Sequence, residues 1–530
     1  MRRIAATLAF VALLGLVTLG TASCGGNDDD GGTLLKVVLH HGNNSRPYMP
    51  LPEEVAKQIK GALAPVGIDV EIRKVEWAPY LDMVQNGEHQ MALLGWSADV
   101  PDPDNFLYVL LHKDNARPGS ANNISFYTSD EVSGKLSEAR LIGDQARREQ
   151  LYREAQQIIF DDVPMVPLVY TDRIIAHRKE FGEIGIEPVT HPVLRRISQP
   201  KDGSLVYLRG NDSKKLDPGD VTDGESSKVV EQVFDQLIRF KPGTVEVEPS
   251  IATAWSHSDD RKTWIFTIRE GVTFHDGTKL DGAAVVNAFE RQRDPQHPHH
   301  FDDGVWAYWK DLFGFVEKVE VGSNPMEIVF RCTEPAPPFF LQMLAAFNTS
   351  IPSPAALTKY GKDFRRKPVG SGPFKFVSWK SGEEIKLERN DAYWDGAPAL
   401  KTVFFRVSEN PTIRSTRIKA GEQADLIDNI DPQTVAELDA HADVTLVRAP
   451  GINVGYLAMN TSKPPFDDPR VRKAVAYALS KPRLVKFAYQ GLARPATTPV
   501  PPTLPGHHDG IQDRKRDADK ARALLKEALE

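Results

Sequence analysis

Apolar residues in the first part of the chain alternate between strand and helix spacing. The run Leu35 to Leu39 is typical of a strand, and a helix is indicated by four apolar residues at helical spacing: Leu51, Val55, Ile59 and Leu63. A second strand follows at Ile68 to Ile72, a second helix at Tyr80 to Val84, and a third strand at Met91 to Leu94, which ends at Gly95 and Trp96. This order predicts a mainly parallel sheet, whose ligands bind at the carboxyl ends of the strands.

The pattern changes at residues 198–204, a short polar stretch with Pro and Gly that is typical of a linker. Leu205 to Leu208 after it is predicted to open a new domain. From there to Pro373 the pattern is α+β, with a strand at Trp264 to Ile268 and a helix that begins at Ala283. The chain therefore contains more than one domain, as its 530 residues also favour.

Charge excludes one class of partner. The chain has 65 Lys and Arg against 72 Asp and Glu, a formal net charge of -7, with no basic block. Because nucleic acids are bound through concentrated positive charge, we expect no nucleic-acid partner.

The N-terminus reads as a secretory signal. Arg2 and Arg3 precede the apolar run Ile4 to Leu19, which small residues connect to Cys24. A membrane span is the alternative, but the run is short for one. The residues before Cys24 resemble a bacterial lipobox, which implies lipidation of Cys24. Thr21 departs from that pattern, so a cleaved soluble form is the other alternative, and residues 25–32 are predicted to be a flexible tether.

Candidate chemistry is sparse. The chain lacks a Gly-x-Ser-x-Gly elbow, a His-Glu-x-x-His site, a phosphate loop and a nucleotide fingerprint, so we expect neither an enzyme nor a cofactor. His297, His299 and His300 could bind a transition metal, but a solvated loop is favoured and no metal site is predicted. Cys332 follows an apolar run and is expected to be buried, with no disulfide partner once Cys24 is lipidated or removed.

Several stretches resemble the peptide-binding class of extracytoplasmic solute-binding proteins, which includes the dipeptide- and oligopeptide-binding proteins. They are Ala254 to Thr278, Gly370 to Phe374, Glu388 to Trp394, Asn460 to Thr461 and Pro465 to Ala474. The resemblance implies a two-lobed α/β periplasmic-binding-protein fold with mixed sheets and an extra α+β subdomain. It also implies a monomer outside the cytoplasm that captures dipeptides or short peptides for the permease and ATPase subunits of an ABC importer.

The two halves stand in swapped order relative to that family, so the chain is predicted to be circularly permuted. In the family the strand at Leu205 opens the mature chain, and the segment from Thr33 to Arg196 follows the helix at Asp519 to Leu529. Termini that lie close together at a surface tolerate such a rearrangement. We therefore expect Glu530 and Thr33 within about 20 Å of each other, a gap that a few extended residues span.

The predicted boundaries follow from the swapped order: 1–24 signal peptide, 25–32 tether, 33–168 second part of the ligand-binding lobe, 169–197 terminal segment of the first lobe, 198–204 linker, 205–240 first lobe, 241–372 subdomain, 373–451 first lobe, and 452–530 first part of the ligand-binding lobe. The chain is expected to cross between lobes near Leu168 to Thr171 and near Ala449 to Asn453.

The resemblance also implies a binding site. Asp99 matches the family carboxylate for the peptide α-ammonium, and Arg46 matches the arginine for the α-carboxylate, with Tyr48 beside it. Gly95 and Trp96 belong to the same site, Trp96 flanking the peptide backbone. Without the resemblance, Asp99 would be read as a turn carboxylate, Arg46 as a surface arginine and Trp96 as core packing. The alternative solutes are a nickel chelate, haem, glutathione or an opine, and a peptide sensor not coupled to import is the alternative function.

Overall fold

The structure, a computed structural model, describes residues 32–189, 191–198 and 202–530. The chain divides into Met1–Gly32 and Thr33–Glu530, and the elements below belong to the second unit. The predicted signal peptide, Cys24 and nearly all of the tether lie outside the described residues. Within the described ranges, no helix combines the length and apolarity needed to cross a membrane.

The strands of the described residues are β1 (Leu35–Gly42), β2 (Ile68–Val75), β3 (Met91–Ser97), β4 (Met165–Arg178), β5 (Ser204–Arg209), β6 (Ile238–Phe240), β7 (Val247–Pro249), β8 (Ala252–His257), β9 (Thr263–Ile268), β10 (Val316–Val321), β11 (Glu327–Cys332), β12 (Phe374–Lys380), β13 (Glu384–Arg389), β14 (Thr402–Val407), β15 (Leu426–Ile427), β16 (Val444–Pro450), β17 (Asn453–Met459) and β18 (Ala493–Pro495).

The α-helices of the described residues are α1 (Pro52–Leu63), α2 (Trp77–Gln85), α3 (Asp104–Leu111), α4 (Asp130–Leu141), α5 (Gln145–Asp162), α6 (Gly224–Val233), α7 (Gly282–Arg293), α8 (Ala307–Leu312), α9 (Phe340–Met343), α10 (Pro354–Tyr360), α11 (Pro411–Ala420), α12 (Val435–Asp439), α13 (Pro469–Ala478), α14 (Lys481–Ala488) and α15 (Ala518–Leu529).

One 12-stranded sheet runs through the molecule in the order β12-β13-β14-β5-β15-β4-β17-β3-β1-β2, with β16 and β18 also paired to β4. A four-stranded sheet, β10-β11-β9-β8, and the hairpin of β6 and β7 are separate from it. The predicted strand at Met91 to Leu94 extends to Ser97, because β17 pairs with β3 as far as Asn453 opposite Ser97. Trp96 therefore lies within the strand and not beyond its end.

Strand β4 connects the two halves of the large sheet. Its first residues pair with β17, and its residues from Asp172 onward pair with β16. Where the partner changes, the Thr171 backbone N–H and hydroxyl both donate to Asn453 Oδ1, at 3.0 and 2.8 Å. The two chain segments predicted to cross between lobes are thus joined side by side at this point.

Two regions of the molecule differ in chain connectivity: one is built from two separate chain segments and the other mainly from one. We call residues 33–168 and 452–530 the composite lobe, and residues 241–372 the subdomain. A core of the composite lobe joins residues from both chain segments, including Val37 and Ile59 from one and Val475 and Leu525 from the other. The core of the subdomain contains buried residues from Ile251 to Ile351, together with Val100, Leu237 and Ile238. Cys332 belongs to this core and is buried, as predicted.

Candidate functional site

Three parallel strands end at one edge of the composite lobe. β1 pairs with β2 through Leu39 and Ile72, and with β3 through Leu39 and Met91, both in parallel. The segments that leave their carboxyl ends carry Arg46, Trp77 and Asp99, respectively. Since ligands of such sheets bind at the carboxyl ends of parallel strands, this edge is the candidate site.

A tight turn after β1 holds Arg46. The Arg46 N–H donates to the Met49 carbonyl at 3.1 Å, and the Met49 N–H donates back at 2.9 Å. The Pro47 carbonyl lies 2.9 Å from the same Thr171 hydroxyl, whose one proton is shared between this oxygen and Asn453 Oδ1. The turn is therefore fixed to strand β4 at the point where the sheet changes partners.

The Arg46 guanidinium lies over an aromatic ring. Its central carbon is 3.7 Å from the centroid of the Trp77 ring. The Arg46 Nε is buried and has no hydrogen-bond partner among the described residues. Burial lowers the pKa of Arg46, although an arginine stays charged at any physiological pH. The site thus holds a partly desolvated cation whose Nε–H is available to a ligand.

Tyr48 and Gly95 lie against each other. Tyr48 is 9% exposed, and burial raises its pKa to about 12. A Cβ atom on Gly95 would collide with the Tyr48 ring and with the Val454 carbonyl. Position 95 therefore requires glycine, because the Tyr48 ring packs directly on the backbone of β3.

Asn105 organises the loop that carries Asp99. Its Oδ1 accepts from the Trp96 indole N–H and from the Asp99 backbone N–H, both at 3.0 Å. Asp102 fixes the loop to helix α5. Its carboxylate accepts from both terminal nitrogens of Arg148 at 2.8 and 2.5 Å. Since Arg148 and Asp102 are both buried, this ion pair holds the loop rigidly.

The subdomain reaches the same loop. The Tyr308 hydroxyl donates to Asp99 Oδ1 at 3.1 Å. Next to it, Val100 is 1% exposed and belongs to the hydrophobic core of the subdomain. Asp99 therefore lies where the composite lobe and the subdomain meet, and its carboxylate accepts a hydrogen bond from across that boundary.

The structure links four of the five predicted ligand residues in pairs: Tyr48 packs on Gly95, and Asn105 joins Trp96 to Asp99. Arg46 lies in the same turn as Tyr48. Sequence reasoning missed Trp77, Asn105 and Tyr308. Trp77 could have been found, since it follows a third parallel strand as Arg46 and Asp99 follow the other two. Tyr308 is distant in the chain, and no local pattern indicates its contact.

The histidine cluster has protein partners. The His299 ring lies 3.0 Å from Asn287 Nδ2 and 3.0 Å from the Thr358 hydroxyl, and His300 Nδ1 lies 2.7 Å from the Arg291 carbonyl. In the described part of the chain, no three metal-ligating side chains converge.

A family model described as bacterial extracellular solute-binding proteins, family 5 Middle, matches residues 25–118 and 246–530. The dipeptide-binding protein of Escherichia coli strain K12 is 32% identical over 375 residues, 67% of this chain and 68% of the relative. The sequence resemblance rested on motifs in these same regions, and the match confirms it.

Two solved structures are similar. The periplasmic binding protein DppA from Helicobacter pylori, in complex with the peptide STSA, has a TM-score of 0.53 and 30% identity over 61% of this chain. A dipeptide-binding protein from Pseudoalteromonas sp. SM9913, in complex with Met-Leu, has a TM-score of 0.55 and 26% identity over 61% of this chain. The chain spans 66% of the length of each, and these matches confirm the predicted α/β fold class.

All of these relatives are named for binding and none for catalysis, which confirms the expectation that the chain is not an enzyme. The chain belongs to the bacterial extracellular solute-binding proteins of family 5.

Proposed function

We propose that this protein binds dipeptides, with the α-carboxylate on Arg46 and the α-ammonium on Asp99. The observation that carries the proposal is the half-buried Arg46 side chain, whose guanidinium is stacked on Trp77 and whose buried Nε is unpartnered among the described residues. A desolvated cation is costly unless an anion meets it, and a carboxylate matches the planar guanidinium in two parallel hydrogen bonds.

Asp99 supplies the opposite charge at a neighbouring strand end. A zwitterionic dipeptide carries one charge at each end, so a cation and an anion held at a fixed separation on one sheet edge select its length as well as its charge. The Asn105 contacts to Trp96 and Asp99 support this fixed position. A ligand ammonium would join the Tyr308 hydroxyl at the same carboxylate, which links binding to contact between the composite lobe and the subdomain.

Isothermal titration calorimetry tests both ends of the ligand separately. Met-Leu, N-acetyl-Met-Leu and Met-Leu amide are titrated into the wild type, Asp99→Asn and Arg46→Gln. We expect each variant to lose about a hundredfold in affinity for Met-Leu, the size of a lost charge-assisted hydrogen bond in a desolvated site. Asp99→Asn should no longer distinguish Met-Leu from its N-acetyl form, and Arg46→Gln should no longer distinguish it from its amide.

Arg366 provides a matched control. Its guanidinium is also stacked on a tryptophan, at 3.3 Å from the Trp379 ring centroid, but outside the composite lobe. Arg366→Gln should bind Met-Leu as the wild type does. A wild type that binds no zwitterionic dipeptide, or an Asp99→Asn variant with undiminished affinity, would contradict the proposed ligand.

We further propose that the protein delivers its ligand to the permease and ATPase subunits of an ABC importer, as a monomer outside the cytoplasm. The family description, extracellular solute-binding proteins, supports the location. Anchoring through a lipid on Cys24 is part of the same proposal. Metabolic labelling with radioactive palmitate should mark the wild type and not Cys24→Ala, and labelling of neither would favour a cleaved soluble form.

The swapped order of the halves is a proposal about how this chain came to have the family fold. Three observations support it. The helix α15 packs into the same core as β1 and α1, and the Arg522 side chain donates to the Pro65 carbonyl at 3.2 Å. The family model matches in two separate segments. The alignments to relatives and solved structures cover 61 to 67% of the chain.

Restoring the family order tests the permutation. A chain that begins at Leu205, joins Glu530 to Thr33 through a short Gly-Ser linker and ends at Arg196 should fold and bind Met-Leu with unchanged affinity. Native contacts are conserved when a chain is reconnected between neighbouring termini, and the loop entropy changes little. An insoluble or inactive product would indicate that the two ends are not neighbours in the folded protein.

A further inference from the structure

We propose that Trp77 is a positioning residue that holds the Arg46 guanidinium ready for the ligand carboxylate. This inference rests on the proposed binding of dipeptides and adds the residue that makes the arginine selective for a free C-terminus. Arg46 alone could swing into solvent, since a long side chain has many rotamers. The face of Trp77, 3.7 Å from the guanidinium carbon, restricts it to one plane.

Two contacts, besides the stacking on Arg46, tie the Arg46 turn to the start of helix α2. Trp77 is the first residue of α2, directly after the carboxyl end of β2. The Asn43 side-chain amide donates to the Glu76 carboxylate, one residue before Trp77. Gly42, the last residue of β1, lies under the indole, so that a Cβ there would be 2.8 Å from a ring carbon of Trp77. The ring and the turn are therefore placed as one unit.

The stacking leaves the edge of the guanidinium open. A cation over a ring face is attracted by the ring quadrupole without using its N–H donors, which lie in the guanidinium plane. The Arg46 Nε accordingly remains unpartnered among the described residues while the plane of the group is fixed. A fixed plane matters because bidentate recognition of a carboxylate requires two parallel N–H donors.

Packing is the competing role for Trp77. Its ring also contacts Tyr80, with centroids 6.0 Å apart, and it packs against a core of the composite lobe. A tryptophan that only fills space would, when removed, weaken every ligand of the site alike. A tryptophan that positions Arg46 would weaken only ligands that carry a free carboxylate.

Calorimetry on Trp77→Leu with Met-Leu and Met-Leu amide separates the two roles. We expect the affinity for Met-Leu to fall about tenfold, the size of a desolvated cation–π contact, and the affinity for the amide to stay unchanged. Gly42→Ala, which displaces the ring without removing it, should have the same selective effect. Trp379→Leu, which removes the tryptophan stacked under Arg366 outside the composite lobe, should change neither affinity.

Equal loss for both ligands in Trp77→Leu and Gly42→Ala would overturn the inference in favour of packing, and so would no loss for either. These results leave the proposed function intact as long as the wild type binds Met-Leu more tightly than its amide. If the wild type binds neither ligand, the proposed function is wrong and the inference falls with it.

Discussion

The subdomain and the composite lobe each have a buried hydrophobic core, but the two cores differ in which parts of the chain supply them. Apart from Val100, Leu237 and Ile238, the buried residues of the subdomain core come from one continuous stretch of chain, Ile251 to Ile351. The core of the composite lobe combines residues up to Val169 with residues from Leu457 onward. The first core is therefore mostly local in the chain, whereas the second requires the two ends of the chain to meet.

That difference places the candidate site in the more vulnerable region. Arg46 and Asp99 both belong to the composite lobe, and the turn of Arg46 is fixed to β4 next to Asn453. Contacts distant in the chain carry a larger entropy cost before they form. Ligand binding should therefore report on the assembly of both chain ends, while the subdomain core, most of which is local in the chain, should depend on that assembly less.

The largest effect is expected from removing α15. Deletion of residues 518–530 takes Ala521 and Leu525 out of the core of the composite lobe, where both are 0% exposed. We expect loss of Met-Leu binding and of hydrogen-exchange protection in β1 and α1, with protection in β9 and β11 of the subdomain retained. Adding residues 518–530 as a peptide should restore part of the binding. Uniform loss of protection across the molecule would contradict the independence of the two regions.

A matched pair of core truncations gives the next largest effect. Leu525 and Ile328 are both 0% exposed, one in each region. Leu525→Ala and Ile328→Ala should each reduce the free energy of unfolding of its own region by about 3 kcal/mol, from lost burial and the cavity left behind. Leu525→Ala should weaken Met-Leu binding more than Ile328→Ala does. Region-resolved hydrogen exchange and calorimetry together check this, and equal weakening in both variants would break the comparison.

Acid should weaken the contact between the two chain segments of the composite lobe. Burial lowers the pKa of His89 to about 3 from its ordinary value of 6.5, and the Asn460 side chain donates to the His89 carbonyl at 3.2 Å. Between these two pH values the unfolded chain takes up a proton that the native protein does not, so stability falls as the pH falls through this window. The loss from His89 should reach about 2 kcal/mol at pH 5.

His275 serves as the control for that prediction, since burial lowers its pKa to about 4 within the subdomain. Urea unfolding between pH 7 and pH 4, followed by hydrogen exchange, compares His89→Gln and His275→Gln with the wild type. His89→Gln should reduce the acid sensitivity of the composite lobe and leave that of the subdomain. An unchanged pH dependence in His89→Gln would show that other groups govern acid unfolding.

The smallest effect is expected from the loop support of Asp99. Asn105→Ala removes the common acceptor of the Trp96 indole and the Asp99 N–H. The affinity for Met-Leu should fall about tenfold, the cost of one or two hydrogen bonds that hold a polar group in place. Asn115→Ala, which removes a hydrogen bond to the Tyr108 carbonyl at the far end of α3, should leave the affinity unchanged. Equal losses would mean that Asn105 acts through helix α3 and not through Asp99.

Sequence reasoning predicted the features that depend on local pattern. The three strands and two helices between Leu35 and Ser97 follow from apolar spacing. The ligand roles of Arg46 and Asp99 do not follow from local pattern and were predicted only from the family resemblance. Local pattern also did not predict that β3 continues to Ser97, because that length is set by pairing with Asn453, some 350 residues later in the chain. Sequence reasoning missed the Tyr308 contact for the same reason, since only the fold brings Tyr308 to Asp99.

Gly95 shows a subtler limit. Its place in a motif predicts a role at the ligand, whereas the structure gives it a second reason to be glycine, which is the packing of the Tyr48 ring on the backbone of β3. Both constraints fall on one residue, and the sequence cannot separate them. Gly95→Ala would displace Tyr48 whether or not Gly95 contacts the ligand.

The most direct measurement is a crystal structure of the protein with Met-Leu bound. The account predicts the ligand ammonium within about 3 Å of the Asp99 carboxylate and the ligand carboxylate on the Arg46 guanidinium, with that group still stacked on Trp77. It also predicts α15 packed beside β1 in the same lobe. A dipeptide bound with reversed polarity, or bound away from Arg46 and Asp99, would contradict it.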